Sequence, residues 1–210
     1  MSRPKSIIFI SGNGSNLQNI INNISNDFLK MDIAAVVSNN PEAKGLIRAK
    51  EAGIETIVID TSNKYIDKLL TLINTYNIDL ILLSGFMKIL PKDFTDKFCG
   101  KIINLHPSLL PKFKGLNTHK KVLASKEKYH GASVHFVTSQ LDDGPVIIQG
   151  KTEILKNDNE DTLRDRVHKI EQNIFPLAIK WFIENHIKQV KDKCFFDNEE
   201  LECPIEHLSD

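Results

Sequence analysis

The chain has little cysteine, little arginine, few aromatics and no long hydrophobic run. Its three cysteines, Cys99, Cys194 and Cys203, are odd in number and show no CxxC spacing. That excludes a disulfide framework and a common zinc motif, and fits free thiols in a reducing, cytoplasmic setting. No uninterrupted apolar stretch approaches the ~18 residues that mark a membrane span, so no membrane partner is expected. The amino terminus, MSRPKSIIFISGNGSN, has an apolar run of only four residues before a glycine turn. This is too short for the core of a signal peptide.

Net charge is absent too, since 27 Lys and Arg match 27 Asp and Glu. A general nucleic-acid binder usually carries a basic excess, so no nucleic-acid partner is expected. A local cationic site for a small anion stays open. Of the basic residues, 23 are Lys and 4 are Arg. With the abundant Ile and Asn, that skew reads as genomic composition bias. What is present is ordinary globular material: 210 residues, 41% hydrophobic and 26% charged. A single domain over 1–190, with a loosely attached polar tail over 191–210, is the expected organisation. Such a chain buries a core without disulfides or metals.

Apolar periodicity alternates along the chain. KSIIFI at 5–10 reads as a buried strand, and Leu17, Ile20, Ile21 and Ile24 follow helical spacing after it. Strands are expected at 31–38, 54–59, 79–86 and 101–106, with helices at 42–52 and 63–76 and a short one after Pro91. Residues 107–120, with two prolines and a glycine, read as a loop. Strands follow at 130–137, which alternates as if one face were wetter, and at 146–155. A long amphipathic helix spans 159–186, with a possible bend at Pro176. Alternating β and α segments predict an α/β fold: an open, mostly parallel twisted sheet with helices on both faces, Rossmann-like.

Ligands of such sheets bind beyond the carboxyl ends of the strands. Three strand ends stand out: Gly12–Asn16, Ser84–Lys88 and Asn104–His106. In the first, Gly12-Asn13-Gly14-Ser15-Asn16 joins a strand to a helix, so backbone N–H groups and the helix dipole favour an anion. No GK[ST] follows, so it is not a P-loop. Leu17 replaces the third glycine of a dinucleotide motif, and Ser38-Asn39-Asn40 offers no acidic ribose ligand. A single phosphate monoester fits better than NAD. A plain tight turn is the alternative.

Asn104 and His106 are two residues apart on a strand, hence on one face. Asp142, in the turn LDDGP, is a carboxylate able to reach them and hold the imidazole protonated. Asn and His donors suit an oxyanion. No Ser or Cys nucleophile sits in a recognisable elbow, so direct transfer through a tetrahedral intermediate is the chemistry suggested. The spacing equally allows a turn asparagine, a core histidine and a turn aspartate. His130 and His135 face opposite sides of their strand. His168 and Glu171, at i and i+3, complete no metal spacing, so no metal is expected.

Several segments are familiar together: ISGNGSNLQ at 10–18, SGFMKIL at 84–90, INLHPSLLPKFKG at 103–115, and HGASVHFV with LDDGPVI at 130–147. They resemble the glycinamide ribonucleotide formyltransferase family, within the folate-dependent formyltransferase superfamily, over roughly residues 5–190. The resemblance implies transfer of a formyl group from 10-formyltetrahydrofolate, as co-substrate, to the amine of 5′-phosphoribosylglycinamide in purine biosynthesis. It implies that Asn104, His106 and Asp142 are catalytic. Substrate binding falls to Asn13, Gly14, Ser15 and Asn16 at the phosphate. On the long helix it falls to His168, Lys169, Ile170 and Glu171, with Glu171 near the amine. Folate contacts fall to Met87, Lys88, Ile89, Leu90, Asn104, Thr138, Ser139, Gln140, Leu141 and Asp142, with Lys64 nearby.

The chain departs from the family pattern at Lys88, where Arg is frequent, at Asp143, where Gly or Ala is common, and at Asn117, where some members have His. The implied partners are small molecules, with a monomer or weak homodimer expected. Methionyl-tRNA formyltransferase would require a second, basic domain, and formyltetrahydrofolate hydrolase a regulatory one. Neither is expected in 210 residues of zero net charge.

Overall fold

The computed structural model describes residues 3–60 and 65–207. Lys64 therefore lies outside the described residues, as do the first residues of the helix expected at 63–76. The chain divides into two compact units, Met1–Ile103 and Asn104–Asp210.

The first unit is built on parallel strands β1 (Lys5–Ile10), β2 (Asp32–Ser38), β3 (Thr56–Val58) and β4 (Leu80–Leu83), in the order β4-β1-β2-β3. The register sets Ile8 opposite Val36 on one side and Leu82 on the other. Residues 7–10 of β1 and all of β4 are buried, as continuous Ile, Leu and Val runs require of a sheet covered on both faces. The connecting helices are α1 (Ser15–Ser25), α2 (Lys44–Glu51), α3 (Tyr65–Tyr76) and α4 (Lys92–Lys97). On α1, Leu17 and Ile20 are turned into the core, as their spacing predicts. Strand β5 (Ile102–His106) begins in this unit and ends in the second.

In the second unit β6 (Tyr129–Phe136) and β7 (Val146–Glu153) form an antiparallel pair next to β5. Helix α6 (Glu160–Ile183) packs on both strands and runs through Pro176 as one helix. Its start is secured by a capping box between Asn159 and Thr162, with Glu160 and Asp161 in the first turn. Gly150 on β7 lets the helix approach, because a Cβ there would run into Ile170.

Three expectations change. The 107–120 loop ends in a helix, α5 (Thr118–Leu123), which starts after Asn117 at φ 59°. Strand β6 has no wetter face: residues 130–136 are all buried, because α6 covers it and β7 flanks it. Residues 191–207 are not a loose tail. They contain three strands, and with β8 (Ile187–Val190) just before them, β9 (Lys193–Phe196) and β10 (Glu199–Glu200) make a small antiparallel sheet. Strand β11 (Ile205–His207) then pairs in parallel with β7. The polar composition hid these strands, since their side chains are mostly exposed or half-exposed. Among the described residues no helix is long and apolar enough to cross a membrane.

Candidate active site

In the second unit, β5 delivers Asn104 and His106 to a single carboxylate. His106 Nδ1 lies 3.4 Å from Asp142 Oδ2, and Asn104 Nδ2 lies 3.5 Å from Asp142 Oδ1. The Gly115 N–H donates to the same Oδ2 at 2.8 Å. Asp142 has φ 47°, and its side chain is 9% exposed. A carboxylate at that depth needs partners, and the Gly115 N–H, the His106 ring and the Asn104 amide supply them. The same-face argument for residues 104 and 106 and the turn position of Asp142 thus converge in space.

Two partners were not legible in the sequence. Asn104 Nδ2 donates to His135 Nε2 at 3.0 Å, and the Nδ1–H of His135 donates to the Phe136 carbonyl at 2.8 Å. This pattern makes His135 the neutral Nδ1–H tautomer. Burial pushes its pKa well below the ordinary histidine value, which keeps it neutral. The second partner is the Phe113 carbonyl, which accepts from His106 Nε2 at 3.0 Å. Both imidazole nitrogens of His106 are therefore engaged, one by a carboxylate and one by a loop carbonyl. The signal for His135 was a histidine on a strand that also carries His130 and Ser133, which did not single it out.

Around this group, Leu116 and Leu141 are more than half exposed. Asp143, one of the departures from the family pattern, pairs with Lys114. The 138–140 segment is held by the Thr138 hydroxyl, which accepts from the Gln140 N–H at 3.3 Å. Ser139 is half-buried, and Gln140 exposed. On α6, His168 Nδ1 lies 3.0 Å from Glu171 Oε2, which raises the histidine's pKa. Lys169 is exposed, whereas the Ile170 side chain is buried in the core. His119 and His130 form a second pair at 3.0 Å, with His130 pushed down to about 4 chiefly by burial. Among the described residues no cluster of His, Cys, Asp and Glu is able to hold a metal.

In the first unit the glycine turn joins β1 to α1. Gly14 caps α1 in the left-handed region at φ 71° without a side-chain cap bond. Ser11 Oγ donates to Asn39 Oδ1 at 2.5 Å and accepts the Met87 N–H at 2.8 Å. It thereby fixes the start of the 87–90 segment. There Met87, Lys88 and Ile89 are exposed and Leu90 is buried.

The chain matches the formyl transferase family over residues 4–179. It is 42% identical over 200 residues to the phosphoribosylglycinamide formyltransferase of Escherichia coli (strain K12), covering 93% of this chain and 94% of that one. It is 38% identical to the enzyme of that name from Haemophilus influenzae, covering 94% and 95% of the two chains. The solved structure of the Coxiella burnetii phosphoribosylglycinamide formyltransferase, in complex with CHES, superposes with a TM-score of 0.91 at 40% identity, covering 97% of this chain and 99% of that one.

Proposed function

This chain belongs to the formyl transferase family, and we propose that it moves the formyl group of 10-formyltetrahydrofolate to the amine of 5′-phosphoribosylglycinamide. The observation that carries the reading is the convergence of Asn104 and His106 on the buried carboxylate of Asp142.

The chemistry follows from those groups. The neutral amine attacks the formyl carbon, forming a C–N bond and an oxyanion. Asn104 Nδ2 carries two hydrogens. One is committed to His135, and the other is available to the oxyanion at the cost of a 3.5 Å contact to Asp142. The His106 Nε2–H is the second donor, once the substrate oxygen takes the place of the Phe113 carbonyl. Each such donor is typically worth ~3 kcal/mol in the transition state. Asp142 Oδ2, 3.4 Å from His106 Nδ1, orients the ring. The attacking amine loses a proton, and the departing folate nitrogen gains one as its bond to the formyl carbon breaks. His106 and Asp142 are the groups placed to relay it, directly or through water.

Each unit also offers a surface suited to one part of the substrates. The turn at Asn13–Asn16 takes the ribonucleotide phosphate. Within the first unit, the exposed Met87, Lys88 and Ile89 are the residues we read as folate contacts, and within the second unit the 138–142 segment is read in the same way. On α6, Glu171, paired with His168, is the residue we read as meeting the substrate amine.

The test is an acceptor comparison with purified protein and 10-formyltetrahydrofolate. Phosphoribosylglycinamide is expected to be formylated, and methionyl-tRNA and water to accept at background rates. Transfer to methionyl-tRNA, or hydrolysis at a comparable rate, overturns the reading.

A further inference from the structure

The turn that we assign to the phosphate is held from behind by α2. The Gly45 N–H donates to the Gly12 carbonyl at 3.1 Å, and Arg48 Nε donates to the Asn13 carbonyl at 3.0 Å. Gly45 and Arg48 are three apart on α2, so they present one face to the turn. The packing is close: a Cβ on Gly14 would lie 2.5 Å from Gly45 Cα, and 3.6 Å from Arg48 Cδ.

A trans peptide points its C=O and N–H in opposite directions. With the carbonyls of Gly12 and Asn13 tied to α2, the N–H groups of Asn13 and Gly14 are aimed away from it. That is the side an anion approaches. The guanidinium adds a full positive charge behind the turn, because an arginine is always protonated. It also polarises the Asn13–Gly14 peptide, making its N–H a better donor.

We propose that Arg48 is a positioning residue for the substrate phosphate, acting through the Asn13 carbonyl without touching the anion. The inference rests on the phosphate reading of the turn. It explains how a recognition loop with no arginine of its own acquires cationic character. It also gives Gly45 a reason to be glycine.

The experiment uses the full chain, ¹⁵N-labelled and titrated with inorganic phosphate and ribose 5-phosphate, together with steady-state kinetics. In the wild type, phosphate is expected to shift the amides of Asn13–Asn16. Failure to do so sinks the phosphate reading itself, whatever Arg48 does. Given wild-type binding, Arg48→Gln is expected to weaken both probes about tenfold. The KM for the ribonucleotide should rise similarly, while kcat and folate affinity hold. Arg48→Lys, which retains charge, is expected to recover part of the loss, and it serves as the working variant if the glutamine form is unstable. Wild-type phosphate affinity in Arg48→Gln overturns the proposal. So does equal weakening toward folate, which would mark a merely structural role.

Discussion

Removing either proposed oxyanion donor has different consequences for the protein left behind. His106→Ala leaves Asp142 with the Gly115 N–H and the Asn104 amide, so the fold is expected to survive. Turnover should fall by two or more orders of magnitude, as for other oxyanion donors. Asn104→Ala should fall similarly, and it additionally leaves buried His135 without its donor. Asp142→Asn keeps the shape and loses the charge, so it should lower kcat more than phosphate affinity. Near-wild-type kcat in a folded His106→Ala protein would remove that residue from the chemistry. The trio was legible because a two-residue strand spacing and one turn carboxylate suffice to place it. His135, Phe113 and Arg48 were not. A main-chain carbonyl leaves no mark in a sequence, and Arg48 lies 35 residues from the carbonyl it holds.

The elements themselves were read from periodicity, and the misses share a physical cause. Helix α5 has only six residues and follows a left-handed asparagine, too short for an apolar stripe to register. Strand β6 looked half-wet because it carries two histidines, yet His130 and His135 are both buried. Burial holds them below the ordinary histidine value of 6.5, with His130 near 4. The folded state therefore binds fewer protons than the unfolded chain between those values, and stability falls with falling pH across that window. It is fully present above about 6.5. His168 has the opposite sign: its raised pKa gives stability that is present below about 6.5 and lost above its folded value. Urea denaturation at pH 7.5, 6 and 5 is expected to show progressive loss. In His130→Phe the loss should be smaller, the aromatic contact with His119 being retained. An equal pH dependence in the variant would show that His130 is not among the groups responsible.

Across the whole chain, the βαβ rhythm was enough to indicate the fold class, but not how the last twenty residues are used. Chain order gave no hint, because β11 returns to pair with β7 after an intervening antiparallel sheet. Ile205, Glu206 and His207 oppose Ile148, Gln149 and Gly150, and Lys151 pairs with Glu206 at 2.9 Å. The ion pair is solvent-exposed and contributes little. The ladder contributes more, since it satisfies N–H and C=O groups on the outer side of β7, which would otherwise form a bare sheet edge. A protein ending at Cys203 keeps β8, β9 and β10 and loses only this strand. If residues beyond 203 were a loose tail, its thermal midpoint would match the full chain. The ladder leads us to expect a loss of about 2 kcal/mol, or a Tm lower by roughly 4–8 °C. Hydrogen exchange at the β7 amides should quicken on the uncovered side, and the exposed edge should raise the tendency to self-associate. An unchanged midpoint with unchanged exchange would return residues 204–207 to the status of an appendage.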